Sequence, residues 1–431
     1  MKFAKLFQQV LTDEHLPEEW VNRAIQYKKL KKRINKVVDE LNNIGINEND
    51  LIFNYNLEIK NNEIHPLLSI KITPLIRSLI VEKLDNLNYN YEIKPINNNN
   101  NKEEDDDIND NYSAINPFDD SKPFYELKIS LLEDTRFFQI LYDEIEDLNN
   151  FENEKENEII NKVENIANEV SIVTIPDKKK TDLYLWREIF QLYIESEIFF
   201  STIEKNAGNV DINLSKEKYF KFLNKLQLIK IEERFNQKNS ILALNDFKNL
   251  NFQIIKISNY QNFNNLAVKK ILKKFDKQTQ LNSKNLFPKL ILDYNSFNNN
   301  NNNNNNNLNI LDSSIAKDIC FIISNKLLSI VPQIDDYLCP ICCSIAFKPI
   351  RLKCGHLFCI RCLVKLRRRL ENKCPLCRNE CLLSLTVDDL DIAQMNYMKM
   401  YFPNEVRQKI QENDKEILEE QYGPQKPCII S

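Results

Sequence analysis

The chain has 431 residues and a mass of 51.0 kDa, with 42% hydrophobic and 10% aromatic residues, enough to bury a sizeable core in two or three domains and too apolar for a disordered protein. Its net charge of -4 averages over blocks of opposite sign, and four glycines are too few for a glycine-rich phosphate loop, so any phosphate site must be built from side chains. No apolar run approaches the roughly 18 to 20 residues that cross a bilayer, and the start, MKFAKLFQQVLTDEH, has acids where a signal peptide would still be apolar, which reads as an intracellular, cytoplasmic protein.

Residues 1 to about 43 read as a helical hairpin, with Phe3, Phe7, Val10 and Leu11 at helical spacing and Pro17 placed to start the second helix. From about 46 to 130 the pattern shifts to alternating or β-branched stretches, LIFNYNLEI, LLSIKIT and YELKISLL, broken by an acidic, Asn-rich stretch at about 97–112; this predicts a small sheet with a disordered loop, inserted between helices. Helical periodicity resumes at Phe138, Leu141, Ile145 and Leu148, again at Ile159, Val163 and Ile166, and in an apolar helix over about 183–205. A further helix from about Lys216 leads through a weakly patterned segment to NNLAVKKILKKFDKQTQ, closing a helical domain at about 285. Ten consecutive asparagines, 298–307, predict a flexible linker over 286–309, followed by an amphipathic helix in 310–335, a Cys-rich block at 336–382 and a helical tail at 383–431. The fold class is mainly α, with a small β-containing insertion.

Nine of the eleven cysteines fall between Cys339 and Cys381, a density that in a non-secreted chain points to metal rather than disulfides. Cys339 and Cys342, Cys354 and His356, Cys359 and Cys362, and Cys374 and Cys377 supply eight ligands, enough for two tetrahedral Zn²⁺ sites. A segment this short has too little core to fold alone, and zinc binding of about 10 to 16 kcal/mol per site would supply the folding free energy. The order, seven Cys and one His, resembles the RING finger family. That resemblance implies a ββα fold in which Cys339, Cys342, Cys359 and Cys362 hold one ion, and Cys354, His356, Cys374 and Cys377 the other, leaving Cys343 and Cys381 as packing thiols. With every coordination position filled, metal-dependent hydrolysis is disfavoured. RING ubiquitin ligases dock a ubiquitin-conjugating enzyme on a shallow apolar groove, which the resemblance places at Ile341, Leu366 and Pro375; Leu366 stands where that family often has Trp. Arg378 matches the arginine that hydrogen-bonds ubiquitin and the conjugating enzyme together, a preorganising role that needs no catalytic cysteine.

Two basic stretches remain. From Trp20 to Val38 there are seven Lys and Arg residues and no acid, and Lys270, Lys273, Lys274 and Lys277 recur at i, i+3, i+4 and i+7, on one helical face. Like charges at these spacings oppose helix formation, so the two runs are either solvated faces or faces against which an anion sits; few interleaved aromatics and an acidic remainder of the chain argue against nucleic acid. The combination of MKFAKLF, YKKLKK, the long central helices and KILKKFDK resembles the SPX domain, a helical bundle that binds inositol polyphosphates and pyrophosphates. It implies a phosphate-binding cluster at Tyr27, Lys31 and Lys274 and a surface cluster at Lys270, Lys273 and Lys277, with a rigid polyanion preferred over a single phosphate.

Together the two ends are similar to the SPX-RING ubiquitin ligases of fungi and plants. The implied function is an E3 ubiquitin transferase regulated by inositol pyrophosphate or phosphate in phosphate homeostasis. Its partners would be a ubiquitin-conjugating enzyme, ubiquitin and a protein substrate such as a phosphate transporter; the alternative is a phosphate-responsive scaffold whose RING only binds proteins. The last four residues, Cys428 to Ser431, match a C-a-a-X pattern, an expectation of farnesylation and reversible membrane attachment.

Overall fold

The computed structural model describes residues 16–44, 53–60, 63–72, 74–96, 124–176, 180–199, 212–299, 315–382 and 389–423, with isolated positions at 3–9 and 385–386. The loop expected at 97–112, the asparagines 300–307 and Cys428 lie outside the described residues. The chain is mainly helical and divides into two compact units, Met1–Asn157 with Lys256–Ile315, and Glu158–Ile255 with Ala316–Ser431.

In the first unit, α1 (Glu18–Arg23) precedes α2 (Tyr27–Ile44), whose buried residues Tyr27, Leu30, Ile34, Val37, Leu41 and Ile44 follow a helical stripe, leaving the lysines to the other face. The insertion forms β1 (Phe53–Lys60), β2 (Glu63–Ile72), α3 (Pro74–Asn86), β3 (Tyr91–Ile96) and β4 (Phe124–Ile129), an antiparallel sheet in the order β1-β2-β4-β3. In β2 the sequence Ile64, Pro66, Leu68, Ile70, Ile72 points inward, the alternation expected of a half-buried strand. α3 and β3 add to the expected sheet: Pro74 occupies a first helical position and Ile80 and Leu84 bury one narrow stripe.

α4 (Leu132–Val173) is one 42-residue helix that joins the two periodic stretches. Its start is capped from α2, where the buried Glu40 accepts hydrogen bonds from the backbone N–H groups of Leu132 (2.8 Å) and Glu133 (2.9 Å). α8 (Lys238–Thr279) is equally long and replaces the weakly patterned segment before Asn264. Its inward face includes Asn251, Gln261 and Asn264, polar residues that interrupt the apolar rhythm yet each find partners: Asn251 accepts from the Tyr193 hydroxyl, Gln261 donates to Glu152 and Asn264 accepts from the Ile25 N–H. α9 (Ser283–Asn299) follows and extends over the first asparagines of the run.

In the second unit, α5 (Leu183–Ser196) is shorter than the expected helix to 205, because Glu197 adopts a left-handed conformation with φ 45° and returns its N–H to the Ile194 carbonyl. Trp186, Phe190, Tyr193, Phe222 and Phe247 stack in one aromatic core, joining α5 to α6 (Ile212–Leu228) and α8. The short α7 (Ile231–Arg234) precedes α8, and α10 (Ile315–Lys326) covers only the middle of the expected 310–335 segment, whose later part forms two short 3-10 turns, Leu328–Ile330 and Ile334–Tyr337. The Cys-rich block contains β5 (Pro349–Arg351), β6 (Leu357–Cys359) and α11 (Ile360–Arg368), the ββα arrangement, followed by α12 (Ile392–Tyr401) and α13 (Pro403–Tyr422). Met398 and Val406 of these last helices, and Phe402 between them, join the core of the Cys-rich block. No helix among the described residues is long and apolar enough to cross a membrane.

Candidate metal centre and basic face

Two quartets come together in the second unit: Cys339, Cys342, Cys359 and Cys362, and Cys354, His356, Cys374 and Cys377, the ligand atoms of each within 4.8 Å of one another. Four thiolates about 2.3 Å from one ion at tetrahedral angles stand about 3.8 Å apart. The Cys342 and Cys359 sulfurs are 3.8 Å apart, and His356 Nδ1 is 3.4 Å from Cys354 Sγ and 3.7 Å from Cys374 Sγ. Both quartets fit zinc, with Nδ1 the imidazole ligand. Hydrogen bonds among the three buried thiols hold Cys339 well below its ordinary range and push Cys359 and Cys362 above theirs.

Local backbone explains why the ligand pairs form. Cys339-Pro340-Ile341-Cys342 and Cys374-Pro375-Leu376-Cys377 are matching turns: the N–H groups of Cys343 and Arg378 donate to the carbonyls of Cys339 and Cys374, both at 2.8 Å. Each turn closes on a residue in the left-handed region, Cys343 at φ 51° and Arg378 at φ 61°. Cys343 is therefore an exposed turn residue and not a packing thiol; Cys381 does pack, 3% exposed in the core. Between β5 and β6, Gly355 at φ 88° lets Cys354 and His356 face the same point, as the Gly355 N–H returns to the Leu352 carbonyl.

Ile341 and Leu376, the apolar residues of the two turns, are 40% and 53% exposed, Pro375 and Arg378 are exposed, and Leu366 is half-buried against the core. Leu376 was not singled out in the sequence, although its turn repeats that of Ile341.

α13 packs on the same block through charge. Arg361 Nε lies 3.0 Å from Glu416 and Arg368 Nη1 lies 2.8 Å from Glu420, while Lys365 also pairs with Glu416 and Arg361 with Glu420. The guanidinium groups of Arg361 and Arg368 pull the Glu420 carboxyl down to about 2. Preceding the zinc block, the buried Arg187 of α5 donates to the carbonyls of Pro332 and Tyr401, both at 2.9 Å, and lies over the Phe402 ring at 4.3 Å. Tyr184 donates its hydroxyl to Glu405 at 2.6 Å. The contacts of Arg187 and Tyr184 were invisible in the sequence, where the partners stand more than 100 residues apart.

The first unit gathers the basic residues. The turn into α2 is fixed by the Ile25 N–H on Asn264 Oδ1 and the Gln26 N–H on Glu144, both at 3.0 Å, which sets α2 against α8 and α4. Tyr27 is 8% exposed with its ring against Phe3 (4.9 Å), and Lys270 Nζ lies 4.7 Å above that Phe3 ring. Phe3 thus links Tyr27 to Lys270, a contact that its place in the helical spacing of the hairpin did not reveal. Burial lowers the Lys274 ammonium pKa, and the positive charges of Lys31 and Lys277 lower it further, so these three lysines share one field. Lys270, Lys273 and Lys277 are exposed and Lys31 and Lys274 half-buried. Asp276 does not neutralise them: it turns away to accept from the N–H groups of Ser283 (2.7 Å) and Lys284 (3.0 Å), capping α9.

Comparison with known proteins places one family at each end of the chain, with the first match running across both units. The SPX domain model matches residues 1–239, and the C3HC4-type zinc finger (RING finger) model matches 339–377. The chain is 34% identical to the Transcriptional regulator of yeast form adherence 3 of Candida albicans and 29% identical to an uncharacterized RING finger protein of Schizosaccharomyces pombe, each alignment covering 96% of both chains. RING finger protein 151 of Bos taurus is similar only locally, 38% identical over 53 residues. No solved structure matches the chain.

Proposed function

The chain belongs to the SPX domain family and carries a C-terminal RING finger, and from that premise we propose that it is a RING-type ubiquitin ligase whose activity responds to an inositol pyrophosphate or a related phosphate ligand. The observation that carries the ligase reading is the pairing of two closed quartets with exposed residues on both metal turns. A zinc with four protein ligands has no position for water or substrate, so its contribution is to hold the turns rigid. Ile341 and Leu376, with Leu366 and Pro375, then offer an apolar seat for a ubiquitin-conjugating enzyme. Arg378, held outside the second quartet by its left-handed backbone, reaches toward ubiquitin and restrains the thioester in a reactive pose.

The sensing reading rests on Lys31, Lys274 and Lys277, whose mutual repulsion a bound polyanion would relieve, with Tyr27 as a hydroxyl donor and Lys270 and Lys273 at the rim. On this reading the protein acts in phosphate homeostasis, with a phosphate transporter as its substrate by analogy with related SPX-RING proteins. Autoubiquitination by the zinc-loaded protein tests the ligase reading. Ile341→Ala and Arg378→Gly, the latter compatible with the positive φ, should each reduce the rate at least about tenfold, the loss of roughly 1.4 kcal/mol, with zinc content unchanged. Unchanged rates in both would leave the RING as a protein-binding scaffold.

A further inference from the structure

Lys409 is the one buried lysine among the described residues. Its side chain is 9% exposed, and burying an ammonium is costly unless negative charge faces it. The carboxylate beside it, Glu412, is 3.9 Å away and half open to solvent, too distant for a strong hydrogen bond. The nearer groups are Cys342 Sγ and Ser344 Oγ, both 3.4 Å from Nζ.

The two zinc sites differ in charge and in access to water. Zn²⁺ with four thiolates has a net charge of about -2, and with three thiolates and a neutral imidazole about -1. In the first quartet Cys339 and Cys359 are fully buried and Cys362 is 7% exposed, whereas the second has an exposed ligand in Cys377. The more highly charged site is therefore the less hydrated one, the arrangement that most needs a counter-charge.

We propose that Lys409 is the outer partner of the four-cysteine zinc: its ammonium donates to the zinc-bound Cys342 sulfur and offsets one of the two excess charges. This makes α13 a working part of the metal module. Glu416 and Glu420, bound to Arg361, Lys365 and Arg368 of α11, hold the helix in the register that delivers Lys409. The inference rests on zinc occupying the quartets and not on ubiquitin transfer, so its test stands whether or not the protein is a ligase.

The test is metal release from the full chain to a chelator at fixed pH and salt. Cobalt substitution separates the two sites, because four-thiolate and three-thiolate centres differ in their visible absorption. Lys409→Met, which keeps the stem and removes the charge, should speed metal loss from the four-cysteine site about 10- to 100-fold, with the other site unchanged. Glu412→Gln should leave both rates unchanged. Wild-type release from Lys409→Met, equal acceleration at both sites, or the same acceleration from Glu412→Gln would overturn the proposal. Should Lys409→Met fail to fold, Lys409→Arg carries the test: slow release is expected with the charge kept, and fast release from the folded Arg variant would overturn it.

Discussion

At the scale of single residues, a buried group in the first unit makes stability depend on pH. Asp134 is 1% exposed and accepts the Tyr55 hydroxyl at 2.7 Å; burial pushes its carboxyl up to about 8, and the nearby Glu40 adds to the shift. A carboxyl with a raised folded pKa keeps its proton in the native state while the unfolded chain loses it near pH 4. The stabilisation is thus complete below about pH 4 and lost as pH rises toward 8, with a slope of at most about 1.4 kcal/mol per pH unit. Denaturant unfolding followed through Trp20, in a Trp186→Phe background, should show lower stability at pH 7.5 than at pH 5.5. Asp134→Asn should shrink that difference, leaving the part carried by the buried Glu152, whose carboxyl burial pushes up to about 7, and an unchanged difference would remove Asp134 as a cause. The sequence places Asp134 at a helix start, where an acid looks solvated and dipole-paired; its burial arises from the sheet strand bearing Tyr55, which no local pattern reveals.

Elements were legible where one periodicity dominated. β1, β2 and β4 alternate clearly, and α2 carries an unbroken apolar stripe. α8 was only partly legible because Asn251, Gln261 and Asn264 occupy interior positions, satisfied by partners distant in sequence. The zinc quartets were legible because ligand spacing is a local property. α13 was legible as part of a helical tail, but its seat was not: Glu416 and Glu420 meet α11, a contact no local pattern reveals. On the basic face, the juxtaposition of α2 and α8 gives the lysine repeat its meaning. Calorimetry with an inositol pyrophosphate should show binding that weakens with salt and is largely lost when Lys270, Lys273, Lys274 and Lys277 are changed to Ala. Tyr27→Phe keeps the ring on Phe3 and should weaken binding about 3- to 10-fold, the worth of one hydrogen bond. Equal binding by wild type and the four-lysine variant would return these residues to a solvated face.

Across the whole molecule, the second unit combines helices matched by the SPX model with the RING and its flanking helices. Arg187 and Tyr184 of α5 tie that helix to Pro332 before the zinc block and to Tyr401 and Glu405 after it. An SPX helix and the helices that flank the RING are therefore packed together within one unit. The two fungal relatives align over 96% of their length, so both ends occur together in those chains too. The decisive measurement is ubiquitination by the full-length, zinc-loaded protein with a panel of conjugating enzymes, with and without saturating inositol pyrophosphate. The account predicts ubiquitin chains whose rate of formation changes with ligand in wild type and not in the four-lysine variant. Absence of chains with every conjugating enzyme, or an identical rate with and without bound ligand, would contradict it.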